Sequence, residues 1–187
     1  MTWPESYKSI KDFNVIYNGE FKLTPIRYNH RKKIMKWRND QIYHLRQEKK
    51  LTLQEQNNYF EKIVLNQFYE KNPPQILFSF YKKGMLIGYG GFVHIDWSSS
   101  SAELSFVMDT ELEKEKFVYV WNSFIEILEK FITNYPIVKK VFTYSFNLRP
   151  KLYEVLNKNN FEFVREDLFK KNNQQIHVKI HEKKYGK

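Results

Sequence analysis

The stretch that decides the fold lies at residues 75–109 and reads QILFSFYKKGMLIGYGGFVHIDWSSSSAELSFVMD. Apolar and polar residues alternate over 76–81, as a strand requires, and Lys82-Lys83-Gly84 follows as a hairpin turn. The return strand spans 85–95, and a third strand spans 102–109 after a loop of serines. These patterns predict three antiparallel strands that lie side by side in a sheet.

An amphipathic helix is predicted directly after the third strand, at about residues 113–133. Its apolar residues recur at intervals of three and four: Phe117, Val120, Trp121, Phe124, Leu128 and Phe131. Pro136 ends this helix, and 138–144 has the pattern of another strand. Asn147-Leu148-Arg149-Pro150 then predicts an N-cap followed by a proline in the first turn of a short helix.

The remaining elements complete an alternating α/β pattern. We expect a strand at 21–26, a helix at 30–40, and a second helix that runs from a capping box at Thr52 to about Phe68. The C-terminal part predicts two strands, at 161–169 and 175–181. The order β-α-α-β-β-β-α-β-α-β-β predicts one α/β domain over 1–187, with a mixed, mostly antiparallel twisted sheet and flanking helices.

Composition excludes several classes of protein. The chain has 187 residues, of which 42% are hydrophobic, and this length suits one well-buried core. It contains no cysteine, which excludes disulfides, thiolate zinc sites and a cysteine nucleophile. Its five histidines lack metal-ligand spacing, so we expect no metal.

A signal-peptide pattern and apolar runs of about 18 residues are absent from the sequence, which makes the cytoplasm the expected location, without a membrane.

The net charge of +10 allows three kinds of anionic partner: nucleic acid, an anionic membrane surface or a phosphate-bearing small molecule. The lysines are scattered and no basic block is interleaved regularly with aromatic residues, so nucleic acid is disfavoured. Simple solvation of the surface explains the charge equally well.

Three segments carry a resemblance to a known family. They are Trp37-Arg38-Asn39, Ala102-Glu103-Leu104-Ser105-Phe106-Val107-Met108-Asp109, and the stretch from Asn147 through Leu152-Tyr153-Glu154 to Phe161. With the element order over 21–180, they resemble the GNAT family of acyl-coenzyme A dependent N-acyltransferases. The Trp-Arg-Asn segment is similar to the branch that acetylates nucleotide-linked amino sugars, and to relatives that act on the amino termini of ribosomal proteins.

The resemblance implies an acyl donor and an acceptor. Acetyl-CoA is the expected donor, and the expected partner is a small-molecule amine, with a nucleotide-linked amino sugar as the leading candidate. A homodimer is left open. In this family the strand at 104–108 splays away from the next parallel strand, at 141–144, and the pantetheine arm lies in the opening. The donor-binding candidates are Phe106, Val107, Met108, Lys114, Lys116, Phe117, Val118 and Asn147.

The sequence departs from the family at the segment expected to bind the diphosphate. The family pattern is Gln/Arg-x-x-Gly-x-Gly/Ala, whereas 113–118 reads EKEKFV, and no glycine occurs between Gly91 and Gly186. Bare backbone amides at a helix amino terminus normally hold such an anion. Lys114 or Lys116 could supply charge instead, while the glutamates at 111, 113 and 115 oppose it.

Candidate catalytic residues follow from the needs of acyl transfer to an amine: a proton acceptor, and an acid for the departing thiolate. The resemblance implies Tyr153 as the acid. Glu103 and His94 lie on neighbouring predicted strands and are the candidate bases, since histidine titrates near neutrality and a glutamate acts best when partly buried or through water. The substrate-side candidates are Trp37, Arg38, Asn39 and Tyr89, because aromatic faces and an arginine fork suit a uracil ring and a diphosphate.

Each of these residues also has a purely structural interpretation, as core packing, helix termination or a solvated helix start. The missing glycines add a rival function, a GNAT-like binding or interaction module without catalysis. A protein N-terminal acetyltransferase is a further alternative.

Overall fold

The computed structural model describes residues 2–186, which form eight strands and four α-helices. The strands are β1 Ile16–Asn18, β2 Phe21–Pro25, β3 Ile76–Lys82, β4 Met85–Asp96, β5 Ser101–Met108, β6 Lys140–Phe146, β7 Glu162–Lys171 and β8 Gln174–Lys184. The helices are α1 Arg31–Asp40, α2 Leu53–Tyr59, α3 Thr110–Asn134 and α4 Pro150–Lys158. Helix α2 continues through a π-helical turn, Phe60–Val64, to a last turn at Leu65–Gln67.

All eight strands belong to one sheet in the order β1-β2-β3-β4-β5-β6-β8-β7. Neighbouring strands are antiparallel except for β5 and β6, which are parallel and joined by α3. The predicted α/β fold class, with a mixed and mostly antiparallel sheet, is confirmed. Strand β1 is absent from the predicted order, because its three residues are too few to show the alternation that marks a strand.

The hairpin of β3 and β4 explains how the middle of the sheet forms. Lys82 pairs with Met85, so that Lys83 and Gly84 make a two-residue loop. Both loop residues have positive φ, 47° and 80°, as a type I′ turn requires. Such a turn matches the twist of the flanking strands and fixes their register, and the predicted turn at this position is confirmed.

Helix α3 covers one face of the sheet through aromatic side chains. Phe124 stacks on Phe106 of β5 with ring centroids 3.9 Å apart, and Phe131 packs edge-on against Phe13. The side chains of Phe106, Phe124 and Phe131 are buried, and burial of one such side chain is worth about 1.5–3 kcal/mol. This aromatic packing therefore holds α3 against β5, which is one of the two parallel strands.

The glycines of β4 allow the strands to approach closely. A Cβ atom on Gly90 would lie 2.2 Å from the carbonyl oxygen of Ser105. Gly91 has φ +143°, and its Cβ atom would lie 2.3 Å from the carbonyl oxygen of Ile76. The close approach of neighbouring backbones therefore explains why both positions are glycine.

The two N-caps predicted from the sequence, at Thr52 and Asn147, have different outcomes. At α2, the Glu55 N–H donates to Thr52 Oγ1 and the Thr52 N–H donates to Glu55 Oε2, so the capping box is confirmed. The predicted N-cap at Asn147 is wrong. Helix α4 begins at Pro150 with Arg149 before it, which puts Asn147 too early in the chain to cap the first turn. Its Oδ1 instead accepts a hydrogen bond from the Tyr153 hydroxyl at 3.1 Å.

Within residues 2–186, the helices lack the combination of length and apolar character that crossing a membrane requires.

Candidate active site

The parallel strands β5 and β6 pair only at their beginnings and then separate. Their three residue pairs are Ser101–Lys140, Ala102–Val141 and Glu103–Phe142. Past Glu103, β5 continues to pair with β4, while β6 from Thr143 onward continues to pair with β8. The sheet therefore opens into a wedge whose narrow end is at Glu103 and whose wide end faces the starts of α3 and α4.

A cavity of about 370 Å³ occupies this opening. Both separated strands line it, with Ser105 and Phe106 from β5 and Tyr144 and Ser145 from β6. Glu103 and His94 lie on its wall, as do Tyr59 and Gln75. The cavity thus brings the free strand edges together with both of the bases expected from the sequence.

Glu103, His94 and Arg46 form a charged cluster at the cavity. The Glu103 side chain is 7% exposed, and its Oε1 accepts a hydrogen bond from Arg46 Nη2. Its Oε2 lies 3.8 Å from Nε2 of His94, whose side chain is 66% exposed. The carboxylate is therefore enclosed by the protein, whereas the imidazole beside it is open to solvent.

The backbone at His94 is unusual. Its φ is 50°, in the left-handed region, and the pairing of β4 with β5 is irregular between Val93 and Asp96. A β-bulge of this kind reorients a side chain at a local conformational cost of about 1–3 kcal/mol. The bulge is what directs the His94 ring toward Glu103.

Arg46 lies on a loop that Lys171 of β7 holds in place. Lys171 Nζ donates to the carbonyl oxygens of Ile42 and Leu45, at 2.6 and 2.5 Å. The Arg46 guanidinium also stacks over the Tyr144 ring at 4.8 Å. Sequence reasoning missed Arg46 and Tyr144, because the contacts of Arg46 join segments far apart in the chain and no local motif marks either residue.

Tyr153 lies beside the cavity rather than on its wall. Its ring stacks on His181 at 5.3 Å, and its hydroxyl lies 3.5 Å from the carbonyl oxygen of Phe146, a residue that lines the cavity. Burial raises the pKa of the Tyr153 phenol above its usual value, which keeps it protonated near neutrality.

The substrate-side candidates separate into two pairs. Arg38 Nη1 donates to the Tyr89 hydroxyl at 2.8 Å, and both residues line a neighbouring cavity of about 260 Å³. Trp37 is buried, and its Nε1–H donates to Asp109 Oδ2 at 3.0 Å. Asn39 Oδ1 accepts from the Leu51 N–H at 2.8 Å. Arg38 and Tyr89 therefore lie on a cavity wall, whereas Trp37 and Asn39 make structural contacts.

The start of α3 is helical, and its first turn carries Glu111 and Glu113. Glu113 is 10% exposed, and its Oε1 lies 3.4 Å from Arg149 Nη1 and 3.5 Å from His44 Nε2. Lys114 pairs with Glu111 on the surface. At Lys116 the backbone leaves helical geometry, with φ −131° and ψ 27°. The turn that carries Glu113 is therefore a separate short segment in front of the long helix.

A further cavity, of about 500 Å³, lies between the starts of α3 and α4. We call it the second cavity, and the 370 Å³ cavity between β5 and β6 the first. Its lining includes Lys114 and Phe117 from α3 and Arg149 and Lys151 from the start of α4. Among the donor-binding candidates, Phe106 lines the first cavity and Lys114 and Phe117 line the second. The others lie elsewhere: Val107 and Met108 are buried in the core, Lys116 and Val118 are exposed, and Asn147 contacts Tyr153.

His44 is a buried neutral histidine at the edge of the site. Burial, followed by the nearby charges of Arg149, Lys171 and Arg38, lowers the pKa of His44 to about 3. Glu113 lies close enough for an ion pair, but the desolvation cost and the three cations outweigh its attraction. Among residues 2–186, His44 Nδ1 has no hydrogen-bond partner.

A splayed sheet with a carboxylate and an imidazole beside the opening matches the arrangement expected for an N-acyltransferase. The model of the acetyltransferase (GNAT) domain family matches residues 23–180. The chain belongs to this family, whose members are acyl-CoA-dependent N-acetyltransferases. A comparison with curated proteins finds no significant match.

Solved structures support the fold at low sequence identity. The chain is similar to spermidine N-acetyltransferase from Vibrio cholerae, in complex with CoA and spermine, with a TM-score of 0.76, 15% identity, and coverage of 89% of this chain and 96% of that one. It is also similar to the acetyltransferase from Salmonella typhimurium that modifies the N-terminal serine of ribosomal protein L7/L12. Here the TM-score is 0.73 at 10% identity, with 92% and 99% of the two chains covered.

A ribosomal L7/L12 alpha-N-protein acetyltransferase in complex with CoA has a TM-score of 0.74 at 10% identity, with coverage of 91% of this chain and 97% of that one. Acetyl-CoA as the donor is consistent with the family and with the CoA complexes among these structures.

The residues of the site suit the thioester arm of acetyl-CoA, but they provide no glycine-rich site for its diphosphate. The free edge of β5 and the 370 Å³ cavity suit an extended thioester arm, because an unpaired strand edge offers backbone hydrogen bonds. The 113–118 segment does not provide a glycine-rich anion site: its first turn is helical, and Glu113 already contacts Arg149. The basic groups that line the second cavity, Lys114, Arg149 and Lys151, are what could meet a diphosphate.

Proposed function

We propose that this protein transfers an acetyl group from acetyl-CoA to a primary amine, and that the amine meets the thioester arm of the donor in the cavity between β5 and β6. The observation that carries this proposal is the position of Glu103 and His94, on the wall of that cavity and beside the narrow end of the opening. The donor supplies the activated thioester, and the residues of the chain orient the amine and receive its proton.

His94 Nε2 is the proton acceptor in this proposal, and Glu103 stabilises the imidazolium that results. Arg46 already donates a hydrogen bond to Oε1 of Glu103, so the carboxylate is engaged with the protein and His94 is the group open to the amine. Glu103 Oε2 lies 3.8 Å from Nε2 of His94, opposite the positive charge that develops on the ring. The exposed ring can then release the proton to water.

The acid that protonates the departing thiolate is proposed to be a tyrosine. Tyr153, suggested by the family resemblance, has its hydroxyl close to the wide end of the opening, near the carbonyl oxygen of Phe146. Tyr144 lines the cavity directly. Replacement of each by phenylalanine distinguishes them, because the variant that lacks the acid loses kcat while the other keeps it.

The acceptor class follows from charge. Three arginines line the cavity, Arg38, Arg46 and Arg149, together with the single carboxylate of Glu103. This lining and the net charge of +10 repel polycations and favour an amine on an anionic molecule. A nucleotide-linked amino sugar has this chemistry. The proteins of similar fold act on spermidine and on a ribosomal protein N-terminus, so both acceptor classes belong in the test.

The test is an acetyl-transfer assay with acetyl-CoA and three acceptor classes: nucleotide-linked amino sugars, polyamines, and peptides with a free amino terminus. We expect His94→Gln to lower kcat/KM by about 10²–10⁴-fold on the best acceptor. His177→Gln, which changes an exposed histidine on β8, is the matched control and should retain full activity. No transfer to any acceptor, together with no saturable acetyl-CoA binding at millimolar concentration, would overturn the proposal.

A further inference from the structure

Arg149 occupies the junction between the two cavities of the site. It lines both the 370 Å³ cavity between the strands and the 500 Å³ cavity between the starts of α3 and α4. Its side chain is 14% exposed, and the guanidinium lies 5.6 Å from the Phe117 ring and 5.9 Å from the Trp121 ring. The positive charge of Arg149 therefore lies where a thioester arm in the first cavity would pass into the second cavity.

In the described part of the chain, most N–H groups of the Arg149 guanidinium make no hydrogen bond. Among residues 2–186, its side-chain hydrogen bonds are those from Nη1, to Glu113 Oε1 at 3.4 Å and with His44 Nε2 at 3.3 Å. A guanidinium carries five N–H donors in a planar fork that suits phosphate oxygens bidentately. Because His44 is neutral, the charge on Arg149 is balanced locally by Glu113.

We infer that Arg149 binds the diphosphate of the acyl donor in place of a glycine-rich turn, and that Glu113 is an internal counterion that competes with this diphosphate. The inference rests on the proposed function, since it concerns the same donor. It explains how a chain with no glycine between Gly91 and Gly186 can hold an anion at this position.

The geometry of α3 allows the competition. Glu113 sits on the short turn in front of the irregular residue Lys116, so it can leave Arg149 without disturbing the long helix that packs on the sheet. A diphosphate bound to the Arg149 guanidinium would repel the Glu113 carboxylate. Shorter, paired hydrogen bonds from Arg149 to the phosphate oxygens would replace the long contact between Arg149 and Glu113. The bound state therefore favours a Glu113 that has turned toward solvent.

The experiment measures binding, independently of catalysis. Wild type, Glu113→Gln, Arg149→Met and Glu115→Gln are titrated with CoA by calorimetry and with pantetheine, which lacks the diphosphate, by ligand-observed NMR. We expect Glu113→Gln to bind CoA about tenfold more tightly, because it removes the competing carboxylate, and Arg149→Met at least tenfold more weakly, because it removes the cation that binds the diphosphate. Pantetheine affinity should stay the same throughout, which also verifies that each variant is folded.

Glu115→Gln is the matched control, because it removes the same charge from an exposed position in the same segment. It should bind CoA as wild type does. Arg149→Lys, which keeps the charge and loses the fork, should fall between wild type and Arg149→Met. If wild type binds CoA while Glu113→Gln and Arg149→Met bind it equally well, the inference is wrong and the proposed function stands. If wild type binds neither CoA nor pantetheine, both are wrong.

Discussion

Replacement of His44 by glutamine should make the protein less sensitive to acid. The folded state keeps His44 neutral, with a pKa of about 3, whereas an unfolded chain protonates it near its ordinary value of 6.5. Between these two values the unfolded state binds more protons, so stability falls as pH falls. At pH 5 the proton-binding ratio of the two states is about 30, which corresponds to a loss of about 2 kcal/mol relative to pH 7.

The assay is urea unfolding at pH 7 and pH 5. Wild type should lose about 2 kcal/mol more than His44→Gln between these pH values, because glutamine cannot titrate. Other groups, including His30, whose pKa burial lowers to about 4, contribute equally to both proteins. His177→Gln changes an exposed histidine and should follow wild type. An identical pH dependence in wild type and His44→Gln would show that the pKa of His44 is the same in the folded and unfolded states, contrary to the reasoning.

Three further substitutions test the fold around the site, each by urea unfolding at pH 7. Phe106→Ala should cost about 3–5 kcal/mol, because this ring is buried and stacks on Phe124; a loss below about 1 kcal/mol would contradict its place in the core. Thr52→Ala should cost about 1 kcal/mol by removing the N-cap of α2, and an unchanged midpoint would argue against the capping box. Lys171→Met should cost about 1–3 kcal/mol, because two carbonyl oxygens lose their donor, and should also raise the KM for the acceptor amine by loosening Arg46. A normal KM would show that Lys171 does not position Arg46.

The elements around the site could be predicted because their signals are local. The β3–β4 hairpin combines strand alternation with a two-residue turn, and α3 has an apolar stripe over many turns. The predicted start of α3 is late, since Asp109 accepts from the Glu111 N–H and the helix begins at Thr110. The charged residues of this first turn lie ahead of the apolar stripe, so the stripe does not reveal where the helix begins.

Two catalytic candidates, Glu103 and His94, could be expected near each other from sequence because they sit on neighbouring predicted strands. Val93 pairs with Glu103, so the next residue, His94, lies close to that carboxylate. Arg46 and Arg149 left no such signal, unlike Arg38. Arg46 contacts Glu103 across 57 residues of sequence, and Arg149 contacts His44 across 105. Contacts of this kind arise only when the chain has folded, and a single sequence does not reveal them.

The short pairing of β5 with β6 also affects how the sheet holds together. Three residue pairs form the seam between a five-stranded plate, β1 to β5, and a three-stranded plate, β6, β8 and β7. Backbone amides that face the wedge lie in the middle of the sheet and yet lack the ladder that would slow their exchange with solvent. Hydrogen exchange should therefore be fast along a line through the centre of the molecule. An extended molecule that hydrogen-bonds to either edge would join the two plates, so occupancy of the wedge would stiffen the sheet as a whole.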